Sequence, residues 1–336
     1  MRVWFPSIQA GSGSDVYTER LVAALKGRGV DARPQWFDRR YELLPDVLRR
    51  IKPPNGTDVI HSNSWNGFAF ARTGLPLVVT VFHCVYHCGY PEWKTRAQAL
   101  YHDLLVGRYE RRSFARAAAA VAMTPSAAED FQKRFTLPQL VLAHGWVDTE
   151  TFRPATDAPV ATDTVRILIV GNNSKRKGMD LLPQLRNRLG PEFSITVVGG
   201  LRAERGGVCA GVTYRQRLSE SELVREYQCA DLVVSMSRYE GFGYTALEAM
   251  ACAKPVVAFA ATGIRDVVHD GESGVLVPID DVEAMAEACT RLAADRTRMR
   301  QFGEHGAFLA RGIYGRDRAL SSYLDLYARL IARDRR

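Results

Sequence analysis

Continuous apolar runs of strand length recur along the chain, at Met1–Ile8, Asp58–His61, Leu77–Val81, Ala119–Met123, Val165–Val170, Phe193–Gly199, Asp231–Met236 and Pro255–Phe259. Runs such as Asp58–His61 and Leu77–Val81 read as buried strands, and Asp231–Met236 with Pro255–Phe259 as neighbours in a parallel sheet joined by a crossover helix. Amphipathic stretches between the runs supply helices: Val16–Lys26, Trp93–Ala120, Ala127–Arg134, residues 281–311 and Arg318–Arg333. Ser126 is placed as the N-cap of the third, and Ser219 with Glu222 forms a capping box for another. Strand, turn, helix and strand follow one another from end to end, which predicts an α/β protein. No internal repeat or low-complexity tract interrupts the pattern.

The stretch from Asp231 to Pro278 carries the most chemistry. Gly241 and Gly243 strip the side chains from a strand-to-helix turn, which leaves the amides of Phe242, Gly243, Tyr244 and Thr245 facing a ligand. Free amides and the helix dipole suit an anion, most naturally phosphate. Glu240 is expected at the mouth of this cradle, and Glu248 about one and a half turns into the helix. Carboxylates beside a phosphate cradle suit hydroxyls, such as those of sugars and riboses. The plain alternative makes Glu240 a solvated loop residue and Glu248 a partner of Lys254 or Arg238.

Other stretches are less decisive. The first strand ends in a glycine-rich turn, Gln9–Asp15, but Val16 stands where a dinucleotide fingerprint needs its third glycine. Lys175, Arg176 and Lys177 gather at a helix start, where cations oppose the dipole unless an anion lies nearby. His83, Cys84, His87 and Cys88 look like metal ligands, yet so short a segment cannot wrap four of them around one ion, and they read as core and cleft residues.

At 336 residues, 46% hydrophobic and 24% charged, the chain is long enough for two domains. No apolar run approaches the ~20 residues of a membrane span, and the six scattered cysteines suit reduced thiols, so a cytoplasmic location is expected. Of the net charge of +8, residues 1–155 carry +6, from 20 basic against 14 acidic side chains. That excess interleaves with aromatics at 36–52 and clusters again at 108–116. Without a nucleic-acid motif, it suits an anionic membrane surface, or arginines paired with Glu42, Asp46 and Glu110 on solvated helices.

Taken together, Glu-Gly-Phe-Gly at 240–243, Leu-Glu-Ala-Met-Ala at 247–251, Lys-Pro-Val-Val-Ala at 254–258 and Asp-Gly-Glu-Ser-Gly-Val-Leu-Val-Pro at 270–278 resemble the donor-binding half of the retaining glycosyltransferases of family 4. His144–Pro154 is similar to the signature that closes the first domain of that family, with His144 in a usual asparagine slot and Trp146 inserted. The resemblance implies the GT-B fold: two Rossmann-like parallel-sheet domains facing a cleft, with a C-terminal helix crossing back to the first. It divides the chain into an acceptor-side domain (1–154), a linker (155–164), a donor-binding domain (165–317) and the returning helix (318–336).

The resemblance also implies the chemistry. Lys177 and the amides of 242–245 stabilise the departing diphosphate, Glu240 holds donor-sugar hydroxyls, Glu248 holds the ribose, and His83 reaches the sugar from the other domain. Gly13 and Ser14 face the donor phosphates. Asn172 occupies a slot where the family has an arginine, and Lys175 or Arg176 is near enough to replace it. No cofactor is implied beyond the nucleotide-diphosphate sugar itself, and no metal is expected, because the chain has no Asp-x-Asp motif. No carboxylate nucleophile is apparent, which suits front-face attack by the acceptor hydroxyl. The implied partners are the sugar donor and a carbohydrate or lipid-linked acceptor, in bacterial surface polysaccharide or glycolipid synthesis, while contact with the anionic inner face of the cell membrane is expected only from the basic first half. Rival readings are a sugar-nucleotide epimerase or phosphorylase of the same fold, a nucleotide-sugar binding module without turnover, and a nicotinamide enzyme.

Overall fold

The computed structural model describes residues 1–11, 13–87, 95–156, 164–199, 209–216 and 218–334. The chain divides into two compact units, one of residues 1–144 with 319–336 and one of residues 145–318.

The first unit is built on a parallel sheet of β1 (Arg2–Ile8), β2 (Asp31–Phe37), β3 (Val59–Asn63), β4 (Leu77–Val81), β5 (Ala119–Ala122) and β6 (Gln139–Leu142), in the order β2-β1-β3-β4-β5-β6. The order reverses beside β1, and the first crossover is α1 (Gly13–Gly27). β3 and β4 are buried along nearly their whole length, although β3 carries the polar His61 and Ser62 and β4 the polar Thr80. After β4 come α2 (Arg96–Tyr101), a π-helical turn at His102–Val106, α3 (Gly107–Phe114) and α4 (Pro125–Arg134). Thr124, not Ser126, caps α4: its Oγ1 accepts from the Ala127 amide at 3.1 Å, and Pro125 takes the first helical position, where its missing N–H costs nothing.

The second unit repeats the plan with β7 (Val165–Val170), β8 (Phe193–Val198), β9 (Val212–Arg215), β10 (Leu232–Ser235), β11 (Val256–Phe259) and β12 (Gly274–Val277), ordered β12-β11-β10-β7-β8-β9. Its helices are α5 (Leu182–Arg188), α6 (Glu220–Cys229), α7 (Tyr244–Ala251), α8 (Ile264–Val267), α9 (Val282–Ala294) and α10 (Arg296–Gly312). Ser219 and Glu222 form the expected capping box on α6. A last helix, α11 (Arg316–Asp334), contributes residues from 319 onward to the first unit.

The unit boundary lies at His144/Gly145, ten residues before the end that the sequence gives to the first domain. The cause is local packing. Phe152 lays its ring edge-on to Tyr227 at 6.1 Å, and Gln228 Nε2 donates to the Arg153 carbonyl at 2.9 Å, so this stretch adheres to α6. Most of the expected linker (157–163) lies outside the described residues, as do Cys88 and Trp93.

Candidate functional site

In the second unit the turns after β7 and β10 are stitched into one edge. Gly178 has φ +68°, and a Cβ there would stand 2.7 Å from that of Met236, so glycine alone lets the two turns close up. The Arg238 amide donates to the Arg176 carbonyl at 2.9 Å, and Arg176 Nη1 donates to the Tyr239 carbonyl at 2.9 Å. Arg238 itself is buried and bridges Asp180 at 2.7 Å and Asp280 at 2.5 Å. It is therefore a buttress under the loop and not a partner for Glu248.

This stitching brings Lys177 and Glu240 into direct contact. Lys177 Nζ donates to Glu240 Oε1, Ser237 Oγ donates to the same oxygen at 2.9 Å, and Arg176 Nη1 lies 3.6 Å from Oε2. Glu240 is thus no solvated loop residue; its side chain is only 14% exposed. Burial pushes its carboxyl up, but the charges of Lys177 and Arg176 and the two hydrogen bonds outweigh that and hold it at about 2. At neutral pH it is an acceptor, never an acid.

Beyond Glu240 the chain turns through Gly243, whose φ of +101° no side chain adopts easily, into the first turn of α7. No side chain caps this helix start. The Phe242 ring is buried against Gly145, where a Cβ would stand 2.7 Å from it, so its side chain is not available to a ligand. Within α7, Glu248 is buried, and Tyr227 Oη donates to its Oε2 at 3.1 Å. Asn172 follows β7 on the same edge of the sheet as Lys177. The outcome is two cations, an ionised carboxylate and a helix N-terminus side by side, beyond the carboxyl ends of β7 and β10, where open α/β sheets bind ligands. Such an arrangement can take a phosphate-like anion with a hydroxyl-bearing group next to it.

Gly13, Ser14 and His83 belong to the first unit. Gly13 and Ser14 open α1, where the Asp15 carboxylate accepts from the amides of Ala10 at 3.0 Å and Gly11 at 2.7 Å. His83 follows β4, with its ring centroid 6.0 Å from that of Trp65. Cys84, weighed as a ligand, is a core thiol directed at the Asp130 carbonyl. Ser237, Tyr227 and Trp65 carry no signal in the sequence, since each reaches its place only by tertiary contact.

Two family descriptions cover most of the chain: Glycosyltransferase Family 4 matches residues 11–151 and Glycosyl transferases group 1 matches residues 164–295. Among curated relatives, the D-inositol 3-phosphate glycosyltransferase of Xylanimonas cellulosilytica is 33% identical over 250 residues, 67% of this chain and 60% of that protein. Its namesake from Saccharomonospora viridis is 30% identical over 333 residues, 85% of this chain and 74% of that one. The chain therefore spans less than two thirds of the first relative's length. Among solved structures, sucrose-phosphate synthase from Thermosynechococcus elongatus superposes with a TM-score of 0.84 at 21% identity, over 98% of this chain and 100% of that one. HepE from Anabaena, in complex with UDP and glucose, gives 0.78 at 15% identity, over 98% and 99%.

Proposed function

The chain belongs to glycosyltransferase family 4, and on that premise we propose that it moves a sugar from a nucleotide-diphosphate sugar to an acceptor hydroxyl with retention of anomeric configuration. The observation that carries this reading is the contact of Lys177 and Arg176 with ionised Glu240 beside the first amides of α7. As the anomeric carbon loses the diphosphate, negative charge grows on the leaving oxygens, and prepositioned cations and amides stabilise it there. Lys177 and Arg176 take that role, with Arg176 replacing the arginine that Asn172 displaces. Glu240 accepts from donor-sugar hydroxyls, and Glu248, steadied by Tyr227, accepts from the ribose. Gly13, Ser14 and His83, in the first unit, keep their donor-side roles on family likeness alone. No metal takes part, since cations and amides suffice for the diphosphate.

The test is release of nucleoside diphosphate that depends on an acceptor, starting with UDP-sugars because HepE is described in complex with UDP and glucose. Acceptor-dependent release that survives excess chelator is expected. Release without any acceptor, or only with phosphate, would instead favour an epimerase or phosphorylase, and donor binding without turnover a binding module.

The acceptor is proposed to be carbohydrate or lipid-linked, reached by peripheral contact of the first unit with an anionic inner leaflet. Leu43, Leu44, Val47, Leu100 and Leu104 are each more than half exposed. Their segments adjoin, since Tyr109 Oη donates to the Leu43 carbonyl at 2.8 Å. Arg50, Arg108 and Arg111 lie exposed in the same segments. Part of the basic excess is spent on ion pairs, Arg39 with Glu42 at 3.6 Å and Arg112 with Asp46. Glu110 is not among those partners, because it is fully buried. No helix among the described residues is long and apolar enough to cross a membrane.

A further inference from the structure

Away from the donor edge, the second unit carries a cluster of His269, Glu272 and His305 that the transfer reaction does not use. His269 and Glu272 sit on the turn just before β12, and His305 lies on α10. The first residue of β12 pairs with the first of β11, so the cluster lies at the amino ends of the parallel strands, while the Lys177–Glu240 contact lies beyond their carboxyl ends. These are opposite edges of one sheet.

One ligand atom from each of the three residues lies within 4.8 Å of the other two. His269 Nδ1 is 3.6 Å and His305 Nε2 is 3.4 Å from the same carboxylate oxygen, Glu272 Oε2. For a tetrahedral ion with bonds of ~2.1 Å, neighbouring ligand atoms stand about 3.4 Å apart, so both distances match an edge of a zinc tetrahedron. The nitrogen on α10 adds an independent sign. His305 Nε2 is sealed from solvent and, although aimed at Glu272, makes no hydrogen bond. A buried polar atom in that state has a reason to be there, and an unrecorded ion is one.

The scaffold is also fixed in advance. The amides of Glu272 and Ser273 both donate to the His269 carbonyl, at 3.1 and 2.9 Å, and the His269 amide returns a bond to Ser273 Oγ at 2.9 Å. Ser273 is fully buried, so the turn holds His269 and Glu272 on one side. α10 cannot drift away from it, because Tyr314, just past its end, donates to the Asp266 carbonyl at 2.6 Å.

We propose that His269, Glu272 and His305 bind a divalent transition-metal ion, zinc by the donor set of two imidazoles and one carboxylate, with water completing the tetrahedron. Such an ion staples α10 to the turn before β12 and takes no part in sugar transfer. The donor set excludes magnesium and calcium, which prefer oxygen ligands.

The test uses the full chain, stripped with chelator and desalted, then titrated with zinc by calorimetry and with cobalt by visible absorption. The expected result is one equivalent of zinc bound, a tetrahedral cobalt spectrum and a zinc-dependent rise in melting temperature, all lost in His305→Ala and in Glu272→Gln. Glu272 is exposed, so its variant keeps the fold if His305→Ala does not. Zinc binding of equal strength in both variants, traced to the remaining histidines or cysteines, overturns the proposal. So does the absence of a saturable equivalent in the wild-type chain.

Discussion

His61 Nδ1 lies 2.5 Å from the hydroxyl of Tyr327, joining the middle of the first sheet to the last helix of the chain. The other ring nitrogen, Nε2, lies 2.7 Å from Thr80 Oγ1, and burial pushes the imidazole down to about 3. The native protein therefore holds His61 neutral, whereas the unfolded chain protonates it near its ordinary 6.5. Its contribution is complete above about pH 6.5 and is lost as pH falls towards 3. Acid unfolding of the first unit should begin in that window. Tyr327→Phe, which strands the buried Nδ1, should cost about 1–3 kcal/mol at neutral pH, read by denaturant melts. An unchanged midpoint would show that the bond carries no stability.

Glu110 should act in the opposite sense. It accepts from Ser64 Oγ at 3.0 Å, and burial raises its carboxyl to about 8, despite that bond. A folded-state value above the unfolded one gives stability that is complete below about pH 4.5 and lost as pH rises through 8. Glu110→Gln keeps the shape and removes the titration. The variant should therefore be the more stable at pH 8, with the gap narrowing at pH 5; a gap independent of pH would show that the carboxyl does not titrate as argued.

Lys177→Ala and Glu240→Gln should each abolish transfer by at least about a hundredfold, the scale of losing one prepositioned charge. Both side chains are largely buried, so each single variant also leaves an uncompensated partner, at about 3–5 kcal/mol for Lys177→Ala. The double variant Lys177→Met with Glu240→Gln should regain much of the melting temperature and none of the activity. Recovery of both would make the pair structural only.

Arg176→Ala should weaken nucleotide-sugar binding about ten- to hundredfold while leaving free-nucleoside binding nearly unchanged, because its guanidinium meets the site at Glu240 and not at a base. Calorimetry with diphosphate and nucleoside separates the two. Equal losses for both ligands would mean that the loop has collapsed through the missing bond to Tyr239.

Sedimentation with anionic liposomes should pull down the wild-type chain at low salt and release it as salt shortens the screening length from ~10 Å at 0.1 M. Replacing Leu44 and Leu104 with serine should abolish the pull-down without moving the melting temperature, since both side chains are exposed. A chain that stays in the supernatant at low salt has a freely diffusing acceptor.

The apolar strands were legible because Val, Ile and Leu dominate where a strand is buried on both faces, as in β4 and β7, which Thr80 and Arg166 alone interrupt. β2 was not, since Asp31–Phe37 mixes arginine and glutamine with Pro34, which an edge strand tolerates. β6, at the other edge, escaped because Gln139–Leu142 is only four residues long. Within the site, Glu240, Lys177 and the glycine turn announced themselves by spacing and by family likeness. The depth of Glu240 did not, because it depends on Arg238 and Gly178 drawing two turns together, and neither contact is local. Arg176 was legible only as a substitute named beside Lys175, and the structure separates the two: Arg176 reaches Glu240, while Lys175 lends its carbonyl to Arg238.

The first unit is completed by residues from 319 onward, and this has a consequence for synthesis. A ribosome adds roughly 5–20 residues per second. His61 precedes Tyr327 by 266 residues and Tyr17 precedes Tyr323 by 306, so each waits roughly fifteen to sixty seconds for its partner. The half made second can thus finish folding first, and the half made first depends on the last turns of the chain. Nascent chains should for that interval be the form most exposed to chaperones and proteases, and a stop codon near the end would disable the oldest part of the molecule rather than the newest.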